Sequence, residues 1–428
     1  MKDYTSMTHD ELLEEKARLE AEYRDLCALD LHLDMSRGKP SAEQLDLSRP
    51  MMDVLQSDTP LTDRKGTDLR NYGLLEGIDE AKELLAAMMR TKPENVVVYG
   101  NASLNIMFDT VCRAMTHGFQ GSTPWCRLEK VKFLCPVPGY DRHFSITEYF
   151  GIEMINIPLH DDGPDMDLVE EYVNKDESVK GIWCVPVYAN PTGAVYSEET
   201  IRRFANLKPA ASDFRIFWDN AYCVHHLYPD RKAEVIDILA ACEEAGNPDL
   251  VYEFCSTSKV TFAGGGISGV AASPRNKEDL LSRMKFQTIG FDKINELRHV
   301  KFLKDLEGVE AHMEKHAAII RPKFELLLDR FAREIDGLGV GRWTNPSGGY
   351  FIAFFANEGC AKRIVELAKE AGVVMTGAGA PFPYKKDPQD SVIRIAPTLP
   401  PLAELDQACT VFLNCVKLAS IEKRLEMQ

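Results

Sequence analysis

The sequence predicts an α/β protein in which a mostly parallel sheet carries helices on both faces and is followed by a smaller α+β domain. The first observation is that short apolar segments alternate with helical segments from about residue 79 to residue 256. Strands separated by helices typically form parallel sheets covered on both faces. The second observation is a change near residue 340, where a long charged helical region gives way to GRWTNPSGGYFIAFF, a helix and two short strands.

Periodicity and capping signals place the elements in order. Residues 8–29 predict an amphipathic helix, because apolar residues recur near helical spacing and Thr8 and Glu11 form a capping box. The predicted strands of the large sheet are VVVYG (96–100), VKFLC (131–135), EMINIPL (153–159), GIWCVPVY (181–188), FRIFWD (214–219) and LVYEFCS (250–256).

The second half of the chain predicts the smaller domain. Residues 275–332 form a charged helical region that we expect to be broken near Gly290 and Pro322, and a last helix is expected at 401–425. The predicted organisation is an N-terminal helix and arm at 1–50 that packs with the small domain, a large domain at 51–300 and a small C-terminal domain at 301–428.

The composition is that of an ordinary globular chain of 428 residues, 45% of them hydrophobic. Fifty basic against 66 acidic side chains give a formal charge of −16, which disfavours nucleic acid and anionic membranes as partners. No apolar run approaches the roughly 18 to 20 residues of a membrane helix, and the polar N-terminus does not read as a targeting peptide. The 11 scattered cysteines indicate reduced thiols in a cytoplasmic protein.

Polar residues follow three of the predicted strands directly. They are Asn190-Pro191-Thr192-Gly193, Asp219-Asn220-Ala221-Tyr222 and Ser256-Thr257-Ser258-Lys259. The loops at the carboxyl ends of the strands form the ligand site of open α/β sheets, so these segments predict one pocket.

Two charged side chains of this pocket suggest its chemistry. Asp219 ends an apolar strand, where a carboxylate is costly to bury unless a cation or strong donor faces it; the alternative is a helix N-cap. Lys259 stands in an uncharged segment, where a neutral amine would be available to condense with an aldehyde; the alternative is a surface lysine. A lysine, a carboxylate and several donors together suit pyridoxal phosphate.

The arrangement resembles the fold type I pyridoxal-phosphate enzymes, in particular the aspartate-aminotransferase superfamily, from about residue 34 to residue 400. The resemblance implies a sheet of the seven-stranded type. It implies that Lys259 is the Schiff-base lysine and proton shuttle, and that Asp219 pairs with the pyridine nitrogen. Tyr222 and Asn190 would hydrogen-bond the phenolic oxygen of the cofactor.

Further roles follow from the same resemblance. The phosphate would be bound at the turn Asn101, Ala102 and Ser103 and by Ser256 and Ser258, with Tyr140 stacked on the pyridine ring. Tyr72 would reach the phosphate of the neighbouring subunit, which implies a homodimer with shared active sites. Gly38, Asn190, Arg394 and Arg37 would bind the substrate, with Arg394 on its α-carboxylate.

The sequence departs from the family at one cofactor position. Most members place a phosphate-binding arginine eight residues after the lysine, where this chain has Ile267. We expect the amides of Gly264 to Gly266 to form an anion-binding nest in its place. No metal site is predicted, because His312 and His316 lack a third ligand and are expected to be solvated helix residues.

The resemblance implies an aminotransferase that exchanges an amino group between L-amino acids and 2-oxo acids. Aspartate with 2-oxoglutarate is favoured, and Arg37, Lys39 and Arg142 are candidates for the second carboxylate. The alternatives are an aromatic, kynurenine or broad-range aminotransferase, a β-lyase on the same scaffold, and a non-enzymatic sensor domain that binds pyridoxal phosphate.

Overall fold

The computed structural model describes residues 2–427 and contains an eight-stranded central sheet. The strands of the described chain, in this sheet and outside it, are β1 (Leu33–Asp34), β2 (Val96–Val98), β3 (Lys132–Val137), β4 (Glu153–His160), β5 (Gly163–Pro164), β6 (Val179–Cys184), β7 (Arg215–Asp219), β8 (Val251–Ser256), β9 (Ser268–Ala272), β10 (Gly341–Trp343), β11 (Ile352–Ala356), β12 (Val373–Val374) and β13 (Val392–Ile395). The order in the central sheet is β2-β9-β8-β7-β6-β3-β4-β5.

The helices alternate with these strands along the first two thirds of the chain. They are α1 (His9–Cys27), α2 (Ala42–Asp46), α3 (Asp79–Met89), α4 (Ser103–His117), α5 (Asp141–Tyr149), α6 (Met166–Lys175), α7 (Glu198–Ala205), α8 (Ile238–Glu244), α9 (Pro274–Met284), α10 (Lys293–Leu303), α11 (Leu306–Glu334), α12 (Ala361–Glu370) and α13 (Leu402–Met427). None of the helices in residues 2–427 is long and apolar enough to cross a membrane.

The central sheet has the predicted parallel character, but it has one strand more than the expected seven, because the two-residue β5 extends its edge. Strands β3, β4, β6, β7 and β8 pair in parallel, whereas β9 runs antiparallel to both of its neighbours and the two-residue β5 runs antiparallel to β4. Successive strand residues face different cores: Phe217 packs in one hydrophobic cluster, and Ile216 and Trp218 pack in another. Helices therefore cover both faces, and the predicted fold class is confirmed.

A smaller α+β unit follows the sheet. Strands β10, β11 and β13 form an antiparallel sheet, and α12 and α13 pack in its hydrophobic cluster. The N-terminal arm joins this unit, because Leu33 of β1 pairs in parallel with Val373 of β12 and the Asn414 amide of α13 donates to the Leu19 carbonyl oxygen at 3.3 Å. The domain boundaries at residues 50 and 300 stay a prediction.

The expected break near Pro322 is wrong, whereas the expected break near Gly290 lies between α9 and α10. Helix α11 continues through Pro322 over 29 residues. Its apolar face holds it in place, since Ile320, Phe324 and Leu327 are buried on either side of the proline. Tertiary packing thus outweighs the hydrogen bond that the proline ring removes.

Candidate active site

A cavity of about 140 Å³ lies at the carboxyl ends of β6, β7 and β8, beside the start of α4. Its lining consists of Ala102, Ser103, Leu104, Met107, Tyr140, Val185, Asn190, Asp219, Ala221, Tyr222, Ser256, Ser258 and Lys259. The structure therefore brings together most of the cofactor-site residues singled out from the sequence. Asn101 adjoins them, because its carbonyl oxygen accepts from the Ser258 hydroxyl at 3.4 Å.

Lys259 lies over an aromatic ring of this cavity. Its Nζ stands 4.8 Å from the centroid of the Tyr222 ring, and it forms no ion pair with a carboxylate of residues 2–427. Burial raises the pKa of the neighbouring Tyr140 phenol to about 12, although the Lys259 charge opposes this shift. The amine is thus free to react with a ligand in the cavity.

Asp219 ends β7 and is only 2% exposed. Its Oδ2 lies 2.9 Å from Nε2 of His143, while its Oδ1 is buried without a hydrogen-bond partner among residues 2–427. A buried carboxylate oxygen requires a donor, and a ligand bound in the cavity that Asp219 lines can supply it. The protonated ring nitrogen of pyridoxal phosphate is such a donor.

Sequence reasoning missed His143 as a site residue. Its ring stacks on Trp183 with centroids 4.5 Å apart and planes inclined by 9°, and the side chain is 1% exposed. The available signal was its position on α5, one helical turn after Tyr140. On such a helix, however, a histidine is equally typical of a core position.

A second histidine borders the site on the opposite side of Tyr222. The His225 ring lies 5.5 Å from that of Tyr222 in an edge-on arrangement and is buried. Burial, reinforced by the Lys259 charge, keeps the pKa of His225 well below its usual range. His225 is therefore neutral and adds no positive charge beside Lys259.

The start of α4 provides the anion-binding end of the cavity. No side chain caps this helix at Ala102, so the amides of its first turn are available to a ligand. The Ser256 hydroxyl donates to the Ser258 hydroxyl oxygen at 3.1 Å, which places two hydroxyl groups near the same end. This set of donors fits a phosphate group.

The glycine triplet does not form the expected nest. The Gly265 amide donates to the Phe262 carbonyl oxygen at 3.1 Å, and the carbonyl groups of Gly265 and Gly266 accept from the Asn295 amide at 3.2 and 2.9 Å. None of the three glycines lines the cavity, and Ile267 is buried. The expectation is wrong because the Gly265 amide, which such a nest needs, is bonded within the loop, and the triplet lies outside the cavity lining.

Arg394 of β13 approaches the site from the smaller unit. Its Nη1 lies 2.9 Å from Oδ1 of Asp141 and 3.5 Å from Oδ1 of Asn190, and its guanidinium group lies 5.1 Å from the centroid of the Phe351 ring. Gly38 packs on the same ring, because a Cβ atom there would stand 2.1 Å from Cζ of Phe351. A larger residue at position 38 would displace the ring that supports Arg394.

The remaining candidates do not line the cavity. Tyr72 is 83% exposed. The cationic candidates Arg37, Lys39 and Arg142 are exposed and form no ion pair within residues 2–427. Arg142 lines a separate groove with Phe108 and Tyr149. A single chain therefore leaves the group that would bind a second carboxylate unassigned.

The expectation of solvated histidines on α11 is wrong. His312 and His316 are 5% and 1% exposed, with their Nε2 atoms 3.1 Å apart. His312 Nε2 lies 2.9 Å from the Val260 carbonyl oxygen, and His316 Nδ1 lies 3.2 Å from Nε2 of Gln44. The N-terminal arm covers this face of the helix, which periodicity alone does not indicate. The described chain holds no His, Cys, Asp and Glu cluster suited to a metal ion.

Comparison with known proteins adds an independent line of evidence. Residues 7–428 match the family described as aspartate amino-transferase. An aspartate aminotransferase of Corynebacterium glutamicum is 45% identical over 405 residues, which span 94% of this chain and 93% of that protein. The crystal structure of an aspartate transaminase of the same organism has a TM-score of 0.96 at 43% identity and covers 98% of this chain and 99% of that one.

A more distant relative shares the fold. The α-aminoadipate aminotransferase of Thermus thermophilus, solved in complex with N-(5'-phosphopyridoxyl)-L-leucine, has a TM-score of 0.72 at 19% identity. It covers 94% of this chain, and 95% of its own chain is matched.

Proposed function

The chain belongs to the aspartate amino-transferase family and is an aminotransferase, and we propose that it uses pyridoxal phosphate to transfer the amino group of aspartate to 2-oxoglutarate. The observation that carries the cofactor assignment is the unpaired Oδ1 of buried Asp219 in a cavity that also holds Lys259. The substrate pair is supported by 45% identity to a protein named aspartate aminotransferase.

Different residues of the cavity bind different groups of the cofactor in this proposal. Lys259 would hold the cofactor through its amine, and Oδ1 of Asp219 would accept from the ring nitrogen, while His143 fixes Oδ2. Tyr222 and Asn190 would bind the phenolic oxygen, and Tyr140 would stack on the ring. When bound, the cofactor supplies an electron sink for the bond broken at the substrate α-carbon.

The phosphate lies at the amides of α4 and the hydroxyl groups of Ser256 and Ser258 in this proposal. It is supported by the uncapped helix start and by the closeness of the two hydroxyls. The amides of Asn101, Ala102 and Ser103 line the turn. No arginine at position 267 is needed if the helix terminus and a partner subunit provide the remaining donors.

The substrate α-carboxylate binds to Arg394, whose planar fork suits a bidentate contact. Asn190 and Gly38 border the same space. With the cofactor and substrate bound, the Lys259 amine would be the group that moves the proton of the substrate α-carbon. The distal carboxylate needs a second cation, which stays unassigned among Arg37, Lys39 and Arg142, since none of them lines the cavity of a single chain.

We further propose that the enzyme is a cytoplasmic homodimer with shared active sites. The support is a set of exposed apolar side chains on neighbouring segments, namely Tyr72 at 83%, Phe286 at 84% and Ile289 at 60% exposure. These segments touch each other, since a Cβ atom at Gly290 would lie 2.5 Å from the Gly73 carbonyl oxygen. Burying such a patch against a second copy is favourable.

The decisive experiment loads the purified protein with pyridoxal phosphate and exposes it to single amino acids. We expect a visible absorbance band of the lysine-bound cofactor, which aspartate and glutamate bleach faster than aromatic amino acids do. Lys259→Ala should lack this band, and a full band in the variant would refute the assignment of Lys259. Faster bleaching by aromatic amino acids would instead favour the aromatic alternative. Pyruvate and ammonia released without an acceptor would indicate a lyase, and a coloured but inert protein would indicate a sensor.

A further inference from the structure

We propose that Asp141 is an internal carboxylate that occupies Arg394 in the free enzyme and yields it to the substrate, so that Asp141 weakens substrate binding and protects the site from simple anions. The inference rests on the proposed role of Arg394 as the substrate-carboxylate residue. It concerns a partly exposed side chain that directly follows Tyr140 of the cavity lining and is not a catalytic residue.

Asp141 and Arg394 form an ion pair in which the carboxylate is partly exposed and the guanidinium group is buried. Oδ1 of Asp141 lies 2.9 Å from Nη1 of Arg394, and the side chains are 34% and 9% exposed respectively. Asp141 is the only carboxylate within ion-pair distance of Arg394 in residues 2–427. The guanidinium charge is thus neutralised before any substrate arrives.

The geometry excludes simultaneous binding of a second carboxylate at the same N–H groups. Nη1 already faces Asp141 and, at 3.5 Å, Oδ1 of Asn190, while Nε donates to Oγ1 of Thr376 at 3.4 Å. A substrate carboxylate that forms a bidentate contact must take over at least one of these groups. Nη2 has no partner among these contacts, and a carboxylate that binds Nη2 together with Nη1 meets Asp141 directly. Because two carboxylates on one guanidinium group repel each other, we expect Asp141 to be displaced.

The two partners differ in freedom to move. Arg394 is part of β13, and its guanidinium group rests on the buried Phe351 ring. Asp141 is the first residue of α5, where a change of rotamer carries the carboxylate into water without moving the backbone. Substrate binding is therefore an exchange in which the internal carboxylate turns outward and the external one replaces it.

A positioning role makes the opposite prediction. If Asp141 only oriented Arg394, loss of its charge would loosen the guanidinium group and weaken substrate binding. In the exchange described here, the same loss removes a competitor and strengthens binding. The direction of the change in KM therefore distinguishes the two roles.

The test is Asp141→Asn in the loaded enzyme. We expect KM for the amino acid and the 2-oxo acid to fall about two- to fivefold, as expected for removal of a partly exposed ion pair, with kcat changed by less than about twofold. The inhibition constant of acetate, which has a carboxylate but no amino group, should fall by a similar factor. Acetate should also raise the thermal midpoint of the variant more than that of the wild type.

The controls separate this inference from the proposed function. Glu148→Gln removes an exposed charge from the same helix and should leave KM and acetate inhibition unchanged. Arg394→Gln should raise KM strongly; failure of that result would refute the role of Arg394 itself. Should Asp141→Asn fold poorly, Asp141→Ser serves instead, because serine also removes the charge and keeps a short polar side chain. An unchanged or raised KM in the folded variant, with Arg394→Gln behaving as expected, would overturn the proposal.

Discussion

Nε2 of His143 lies 2.9 Å from Oδ2 of Asp219, and the two side chains are 1% and 2% exposed. The histidine is fixed from its other side by the stacked ring of Trp183. Asp219 therefore has one oxygen held by the protein and one directed at the cavity. This division makes the free Oδ1 an oriented acceptor rather than a mobile carboxylate.

The first prediction is that His143→Ala removes the hydrogen bond that orients the Asp219 carboxylate. The variant leaves a second buried carboxylate oxygen without a donor, which costs about 1 to 3 kcal/mol, and it also removes the contact with Trp183. We expect a lower thermal midpoint, faster loss of pyridoxal phosphate on gel filtration and slower half-reactions. His143→Gln, which keeps an N–H donor, should recover part of each loss. Retention of the cofactor and a wild-type rate in His143→Ala would contradict this role.

The second prediction concerns a buried acid beneath the site. The Asn220 amide donates to Oε1 of Glu253 at 2.9 Å, whereas Oε2 of Glu253 and Oδ1 of Asn220 are both buried without a partner among residues 2–427. Burial is the main cause that raises the pKa of Glu253 well above its usual range. A neutral Glu253 could supply an O–H group to Oδ1 of Asn220, and a glutamine could supply an N–H group in the same way.

The sign of the pH effect follows from this pKa. Because the folded state binds the proton of Glu253 more tightly than the unfolded state, its stabilisation is full at low pH and is lost as the pH rises above about 4.3 toward the folded-state pKa. Glu253→Gln does not titrate, so its advantage over the wild type in urea unfolding should grow by about 1 to 3 kcal/mol between pH 5 and pH 8. Exposed Glu358→Gln is the control. A constant difference between wild type and Glu253→Gln would refute the neutral acid.

The third prediction uses the proline within α11. Proline in a helix interior is about 3 kcal/mol less favourable than alanine, although it also restricts the unfolded chain. We expect Pro322→Ala to raise the free energy of unfolding by about 1 to 2 kcal/mol. Pro274→Ala at the start of α9, where proline is tolerated, should give no such gain. Equal effects of the two substitutions would show that the ring at position 322 is needed for packing.

The sequence was informative where a residue's environment is set by its own segment. Asp219 and Lys259 could be singled out because each is a charge at the end of an apolar stretch, and the parallel sheet then brings such ends together. His143 could not be singled out, because its contact with Asp219 depends on the strand order β7-β6-β3. In this order the segment after β3 reaches the end of β7 across the end of β6. The glycine triplet failed for a similar reason, since its position outside the cavity goes with packing against α10, where Asn295 binds the carbonyl groups of Gly265 and Gly266 from about 30 residues away.

The fourth prediction tests the packing of Gly38 and Phe351, which supports the guanidinium group of Arg394. Gly38 faces the Phe351 ring so closely that a Cβ atom would lie 2.1 Å from Cζ. Phe351 is 5% exposed, so the ring has little room to move away. The guanidinium group of Arg394 also lies against this ring. A methyl group at position 38 should therefore displace the substrate-carboxylate residue while leaving the cofactor side of the cavity intact.

For Gly38→Ala we expect KM for both the amino acid and the 2-oxo acid to rise about tenfold or more, because displacements of about 1 Å in a binding site have effects of this size. The visible absorbance of the bound cofactor should stay as in the wild type. Gly264→Ala is the matched control, since a Cβ atom there meets nothing within 4 Å. The control also tests the glycine triplet, because weaker cofactor binding in Gly264→Ala would indicate that this loop contacts the phosphate. An unchanged KM in Gly38→Ala would show that the position of Arg394 does not depend on the contact between Gly38 and Phe351.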